Sequence, residues 1–348
     1  MSVQSSPMIS GLSARTEMLQ GCPACDSSSV SLLHADLEDR LFGCPGKWAM
    51  WECRACGIAF LNPRLRPDTI GEAYLTYYTH RVAPKPRTLR VRFRNLVIRA
   101  YARRHLGLGS GLHLKWADWI VKRRLPRVSE GLLADYRYLP RPWRGAVLLD
   151  IGCGDGEFMR RVERLGWRAV GLELDPKACA VASARELNVT TGAVPDTGLP
   201  AESFDVITLH HVIEHVHDPR AVLHELFRLA KPNGRIILTT PNRRSFGADL
   251  FGRSWRGLEP PRHLVLFTPD ALVKAVTDAG FVRPEVQVRP ELAQFYFHQS
   301  HAIASSIPPD SIRLPAYLEI ELKRAYSAAK ENRNRAEEFT VIATRSGM

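Results

Sequence analysis

Val147–Gly156 reads VLLDIGCGDG: a strand-like apolar run interrupted only by Asp150, then three glycines at alternate positions, Gly152, Gly154 and Gly156. Glycines without a Cβ let a ligand approach the main chain closely. The next strand-like run, RAVGLEL, brings Glu173 to its end, about 20 residues beyond Gly152, where a carboxylate can accept both hydroxyls of a ribose. A dinucleotide loop spaces its glycines G-x-G-x-x-G to admit a pyrophosphate. Here the spacing is G-x-G-x-G, and an acid at the strand tip suits an ammonium better than a phosphate. The two carboxylates therefore favour S-adenosylmethionine over a nicotinamide nucleotide, with Asp150, Gly152, Gly154 and Glu173 as cofactor-binding residues. The competing reading of the glycines alone is a tight turn that binds nothing.

Outward from this loop, short apolar runs alternate with amphipathic stretches: AVLLDI, EFMRRVERLG, RAVGLEL, PKACAVASARELN, FDVITLHH, PRAVLHELFRLAK, GRIILTT. That alternation predicts an α/β fold, a Rossmann-like doubly wound sheet, mostly parallel with the last strand, EEFTVIATR, antiparallel. Residues 291–336 read as a helical insertion before that strand. From Val147 to Phe281 the chain resembles the class I S-adenosylmethionine-dependent methyltransferases, in LLDIGCGDG, GLELDP, FDVITLHHVIEHVHDP and AKPNGRIILTTPN. The resemblance implies that Asp150, Gly152 and Gly154 line the methionine end and Glu173 the ribose. It further implies that Ala193, with Gly192, flanks the adenine, and that His210 and His211 face the cofactor from the other side.

The segment after the fourth core strand, LHHVIEHVHDP, lacks the Asn or Asp, Pro, Pro, aromatic run of an exocyclic-amine clamp, and no cysteine follows Cys179 to serve a base C5 mechanism. Hydroxyl or activated-carbon acceptors are left. Such acceptors need a base that titrates near working pH, which histidine supplies. The candidates are His210, His211, His215, His217 and His263, all outside strand carboxyl ends, where open α/β sheets place their chemistry. PRHLVLFT resembles the matching block of zinc-ribbon sugar C-methyltransferases, which implies His263 as catalytic base, with His211 as the second catalytic candidate. The plainer readings are a structural Glu214–His215 pair and a surface-loop His263. A sugar or lipid-linked glycan precursor is the expected small-molecule substrate; RNA methylation and a cofactor-binding scaffold without catalysis are the alternatives.

The whole chain has 348 residues, 45% of them apolar, enough for about two domains and a substantial core. Cys22-Pro-Ala-Cys25 and Cys53-Arg-Ala-Cys56 form two C-x-x-C knuckles, the pattern of a structural zinc ribbon whose four thiolates close the metal's coordination. The expected organisation is a disordered 1–20, a ribbon over 21–63, a basic helical connector over 64–145 and the methyltransferase domain over 146–348. The net charge of +12 is concentrated in residues 81–127, which carry fourteen Lys or Arg against one acid, Asp118. That block suits an anionic membrane surface; aromatics regularly interleaved for base stacking are few, so nucleic acid is less favoured. No apolar run reaches the roughly 18 residues of a membrane span and the opening stretch lacks a secretory block, so the expected location is cytoplasmic, peripheral to the membrane.

Overall fold

The structure, a computed structural model, describes residues 15–74, 96–97, 101, 119–121, 123, 134–308 and 311–347. Most of the basic block 81–127, with its expected membrane contact, and most of the expected disordered N-terminus lie outside the described residues. No helix among the described residues is long and apolar enough to cross a membrane.

The N-terminal part runs through β1 (Thr16–Glu17), β2 (Val30–Leu37), β3 (Trp48–Cys53), β4 (Ala59–Leu61), β5 (Arg64–Leu65) and a 3-10 turn over Ile70–Tyr74. Strand β1 falls inside the stretch expected to be disordered, yet it pairs antiparallel with β5, because Arg64 Nε donates to Glu17 Oε1 at 2.7 Å across the pair. Strands β2, β3 and β4 form an antiparallel meander. At its second knuckle Gly57 takes φ +74°, a left-handed turn that glycine adopts without steric cost, and its N–H donates to the Cys53 carbonyl.

The remainder alternates strand and helix: β6 (Val147–Ile151), α1 (Glu157–Glu163), β7 (Arg168–Glu173), α2 (Pro176–Ser183), β8 (Val189–Thr191), β9 (Phe204–His210), α3 (Pro219–Leu229) and β10 (Ala230–Pro241). There follow α4 (Phe246–Phe251), β11 (Val265–Leu266), α5 (Pro269–Asp278), β12 (Phe281–Val288), α6 (Ala293–Ser305), α7 (Ala316–Glu331) and β13 (Glu338–Arg345). The seven-stranded sheet has the order β12-β13-β10-β9-β6-β7-β8, mostly parallel with an antiparallel strand, the Rossmann-like architecture expected from the alternation. Strands β6 and β9 are buried along almost their whole length, as parallel strands covered on both faces must be. Helix starts follow local chemistry: Asp175 caps α2 ahead of Pro176, and Thr268 caps α5 ahead of Pro269.

Contacts divide the chain into two compact units. One comprises Tyr78–His210, Glu225–Ile237 and Ala343–Met348. Within it β6 pairs with β7 on one side and β9 on the other, so the strand order reverses beside β6 and a crevice is expected at the carboxyl ends. The other unit comprises Met1–Tyr77, His211–His224 and Leu238–Ile342. Here β11 adds to the meander as a fourth strand, Val265 opposite Phe60 and Leu266 opposite Ala59. Its helices pack through Ala293, Phe297 and Ala325, with Phe251 edge-on to Phe297 at 5.1 Å between centroids.

Candidate active site

Asp150 occupies the penultimate position of β6, opposite Thr208 of β9, and is fully buried. The Thr208 hydroxyl donates to Asp150 Oδ1 at 2.7 Å, and the Arg137 guanidinium donates to the same oxygen. Arg137 also lies over the Phe158 ring, 3.6 Å from its centroid. Asp150 Oδ2 is buried with no hydrogen-bond partner among the described residues. A carboxylate oxygen left in that state costs free energy unless a donor arrives, and an ammonium is such a donor. Beyond the strand, Gly152 and Gly154 take φ +69° and +57°, and a Cβ on Gly154 would meet nothing within 4 Å. The backbone there borders open space. Glu173 Oε2 accepts from the Gly154 N–H at 2.8 Å and Oε1 from the Asp175 N–H at 2.9 Å, which fixes the carboxylate and leaves each oxygen a further lone pair for a hydroxyl. The residues therefore fit S-adenosylmethionine: Asp150 and Arg137 present opposite charges to a zwitterionic end, and Glu173 a fixed acceptor to a ribose. Ala193 lies exposed just past β8, and His210 is the half-buried last residue of β9.

In the other unit the remaining histidines gather. His211 Nδ1 lies 3.0 Å from Glu214 Oε1 and Nε2 lies 3.2 Å from Glu338 Oε2. Burial opposes its charge, but the two carboxylates outweigh burial and hold His211 up to about 10, as an imidazolium. Burial likewise raises Glu214, yet the hydrogen bond and charge of His211 bring it down to about 2. His211 at neutral pH is thus a cation with both nitrogens engaged. His215 is different. Its Nδ1 lies 3.0 Å from the Arg262 carbonyl and 3.0 Å from the Tyr74 hydroxyl. A carbonyl only accepts, so Nδ1 carries a proton, and Nε2 is the other ring nitrogen. His263 repeats the arrangement, Nδ1 donating to the Gly257 carbonyl at 2.7 Å. Burial lowers His263 to about 4 against the pull of Glu259. The His215 and His263 rings meet edge to face at 4.8 Å, and one ligand-type atom each from Glu214, His215 and His263 lie within 4.8 Å of one another. His217 is pinned to the Leu65 carbonyl through Nε2 at 2.8 Å.

His263 is 4% exposed, and its depressed pKa has a consequence for stability. The unfolded histidine takes a proton near pH 6.5, whereas the folded one resists protonation down to about 4. The stability gained by keeping it neutral is full above pH 6.5 and falls by roughly 3 kcal/mol as pH drops through that window. His263→Gln is expected to lose less melting temperature than the wild type between pH 6.5 and 4; parallel curves in calorimetry would remove this assignment.

The four cysteine sulfurs of the knuckles lie within 4.8 Å of one another, with Cys22 and Cys56 at 3.5 Å and Cys25 and Cys53 at 3.6 Å. Four thiolates about 2.3 Å from one tetrahedral zinc stand about 3.8 Å apart, so the cluster fits that metal. A hydrogen bond from Cys22, the leading influence, lowers Cys56 to about 5, so one thiolate forms readily.

The fold thus brings Cys22, Cys25, Cys53 and Cys56 together, places Asp150, Gly152, Gly154 and Glu173 around one loop, and sets His211 and His263 in one unit with Glu214 and His215. Sequence reasoning misses Arg137, Tyr74 and Glu338. Arg137 falls in the stretch that reads as a connector, and no spacing rule ties it to Asp150. Glu338 has one signal, an acid that opens a largely buried strand.

The Methyltransferase domain family matches residues 121–283. The chain is 34% identical over 172 residues to a ubiquinone biosynthesis O-methyltransferase of Cereibacter sphaeroides, covering 45% of this chain and 70% of that protein. It is 33% identical over 141 residues to the mitochondrial enzyme of that name from Schizosaccharomyces pombe, covering 37% and 51%. A solved S-adenosylmethionine-dependent methyltransferase from Archaeoglobus fulgidus superposes with a TM-score of 0.44 at 19% identity, over 66% of this chain and 99% of that one. With a relative of this identity matched over more than two thirds of its length, and with a loop whose charges fit the cofactor, the chain belongs to the S-adenosylmethionine-dependent methyltransferases.

Proposed function

We propose that the chain transfers a methyl group to a hydroxyl oxygen of a small molecule, and that a structural zinc held by Cys22, Cys25, Cys53 and Cys56 supports the unit carrying the histidines. When bound, S-adenosylmethionine supplies an electrophilic methyl on a sulfonium. Asp150 and Arg137 hold the amino acid end of that cofactor, the Gly152–Gly154 main chain borders it, and Glu173 takes the ribose. The observation that carries the acceptor reading is a pair of histidines whose Nδ1 each faces a main-chain carbonyl, His215 that of Arg262 and His263 that of Gly257, which leaves Nε2 as the nitrogen to meet an acceptor's proton. A neutral imidazole accepts a proton from a phenol, whose pKa lies near 10, far more readily than from an alcohol. This supports a phenolic hydroxyl over a sugar hydroxyl, in keeping with relatives named as O-methyltransferases of ubiquinone biosynthesis. In this reading a histidine Nε2 takes the proton of the acceptor hydroxyl, and His211, already an imidazolium between Glu214 and Glu338, holds charge in the same cluster.

The test is transfer of labelled methyl from S-adenosylmethionine to simple phenols and catechols, to a nucleotide-sugar pool and to total RNA. Incorporation into the phenols at least about a hundredfold above the other two pools is expected. Incorporation into sugar alone would restore the sugar reading, and into RNA alone would overturn small-molecule transfer.

A further inference from the structure

Arg262 is fully buried, and its guanidinium is held from two places. Glu259, on the preceding turn, accepts from Nε at 2.9 Å. Further partners are N-terminal: Asp39 Oδ2 accepts from Nη1 at 2.8 Å, the Ala73 carbonyl accepts from the same nitrogen at 3.0 Å, and the Phe42 ring lies beneath the guanidinium at 4.5 Å. Asp39 is itself fixed. Its Oδ1 accepts from the N–H groups of Leu41 and Phe42, and its Oδ2 from that of Cys44 at 3.0 Å, so the loop after β2 is wrapped around one buried carboxylate. Glu259 also pairs with Arg256, so the carboxylates of Asp39 and Glu259 offset the charges of Arg256 and Arg262. Removing the Asp39 charge leaves an excess positive charge where water cannot screen it.

The main chain of Arg262 does something else. Its carbonyl accepts the Nδ1 proton of His215, and the next residue is His263. Its guanidinium also grips the carbonyl of Ala73, the neighbour of Tyr74, whose hydroxyl reaches the same His215 nitrogen. Both partners of His215 Nδ1 are therefore placed by one side chain, and that side chain is anchored by Asp39. We infer that Asp39 is a positioning residue for the acid–base pair: acting through Arg262, it locks His215 in the Nδ1-protonated tautomer and so keeps the Nε2 lone pair available to an acceptor. Nothing in the motifs around the glycine loop or the histidines points to Asp39, because it lies in the loop after β2, far from His215 along the chain. The inference rests on the acceptor chemistry proposed above only in its last clause; the tautomer is a property of the free enzyme.

The experiment uses the full, zinc-loaded chain carrying Asp39→Asn, which keeps the shape and one acceptor oxygen but removes the charge. The His215 tautomer is read from two-bond proton–nitrogen correlations of the imidazole without acceptor present, zinc by metal analysis, cofactor affinity by calorimetry with S-adenosylhomocysteine, and turnover with whichever phenol is active. The expected result is unchanged zinc content, cofactor affinity within twofold, a His215 signal shifted toward the Nε2-protonated form, and kcat at least tenfold lower with little change in the KM for S-adenosylmethionine. An unchanged tautomer overturns the inference, as does a kcat within twofold of wild type. Should Asp39→Asn fail to accumulate as zinc-loaded protein, Asp39→Glu, which keeps the charge but displaces it by one methylene, takes the same measurements with the same criteria. Should no phenol be methylated, the acceptor reading falls and the tautomer result still decides this one.

Discussion

Asp150→Ala is expected to weaken binding of S-adenosylmethionine by at least about a hundredfold, about 2.7 kcal/mol, and to destabilise the fold by about 3–5 kcal/mol. Two separate losses combine. The Asp150 carboxylate is fully buried and takes hydrogen bonds from Arg137 and Thr208 on Oδ1, so its removal strands the Arg137 guanidinium, whose side chain is only 14% exposed. The second loss is Oδ2, the oxygen that no described residue satisfies and that an ammonium would. Asp150→Asn separates them: it keeps the shape and a partner for Thr208 but not the charge, so binding should fall by nearly as much while stability falls by less. Thermal melts and calorimetry with S-adenosylhomocysteine read both quantities. Binding within threefold of wild type in Asp150→Asn would mean that the carboxylate serves the fold alone.

Cys53→Ser should have the other large effect, through the metal. Cys53 is fully buried at the end of β3, so a serine there presents a hard hydroxyl in place of a thiolate and leaves the cluster with three ligands. Structural zinc contributes on the order of 10 kcal/mol to the folding of small ribbons, and its loss should melt the four-stranded sheet formed by β11, β4, β3 and β2. Because β11 begins just after His263 and Leu61 N–H donates to the Leu264 carbonyl, loosening that sheet frees the segment that carries Arg262 and His263. Turnover should fall below about one hundredth of wild type. Cofactor affinity should stay within a fewfold, since the partners of Asp150, Gly154 and Glu173 lie between residues 137 and 208. A Cys53→Ser protein that retains one equivalent of zinc and its melting temperature would refute the metal's role.

Three links in the molecule rest on local chemistry and are readable from the chain. The VLLDIGCGDG loop announces a strand, its acid and its left-handed glycines, because bare backbone at alternate positions has few other uses. Glu173 follows from strand spacing, since a βαβ unit has a nearly fixed length. The knuckles follow from C-x-x-C, because such a thiolate pair is set by one turn. The alternation of apolar runs also predicts the sheet, although α1 and α2 stop short of the apolar stretches that suggest them, at Glu163 and Ser183, where backbone turns close the last carbonyls.

The histidines show where that legibility ends. His211, His215 and His263 are equivalent in a sequence, and only their neighbours assign them different protons. Glu338, at the start of the last strand, turns one imidazole into a clamped cation. The carbonyls of Arg262 and Gly257 place a proton on Nδ1 of the other two. Composition and short-range pattern thus determined the alternation that builds the sheet, the glycine loop and the thiol pairs. Which histidine is charged, that β11 completes the N-terminal meander, and that Asp39 and Tyr74 serve His215 were decided by tertiary structure alone. Protonation and tautomer depend on the electrostatic field and hydrogen-bond partners at a point in space, and those come from segments that lie far apart along the chain.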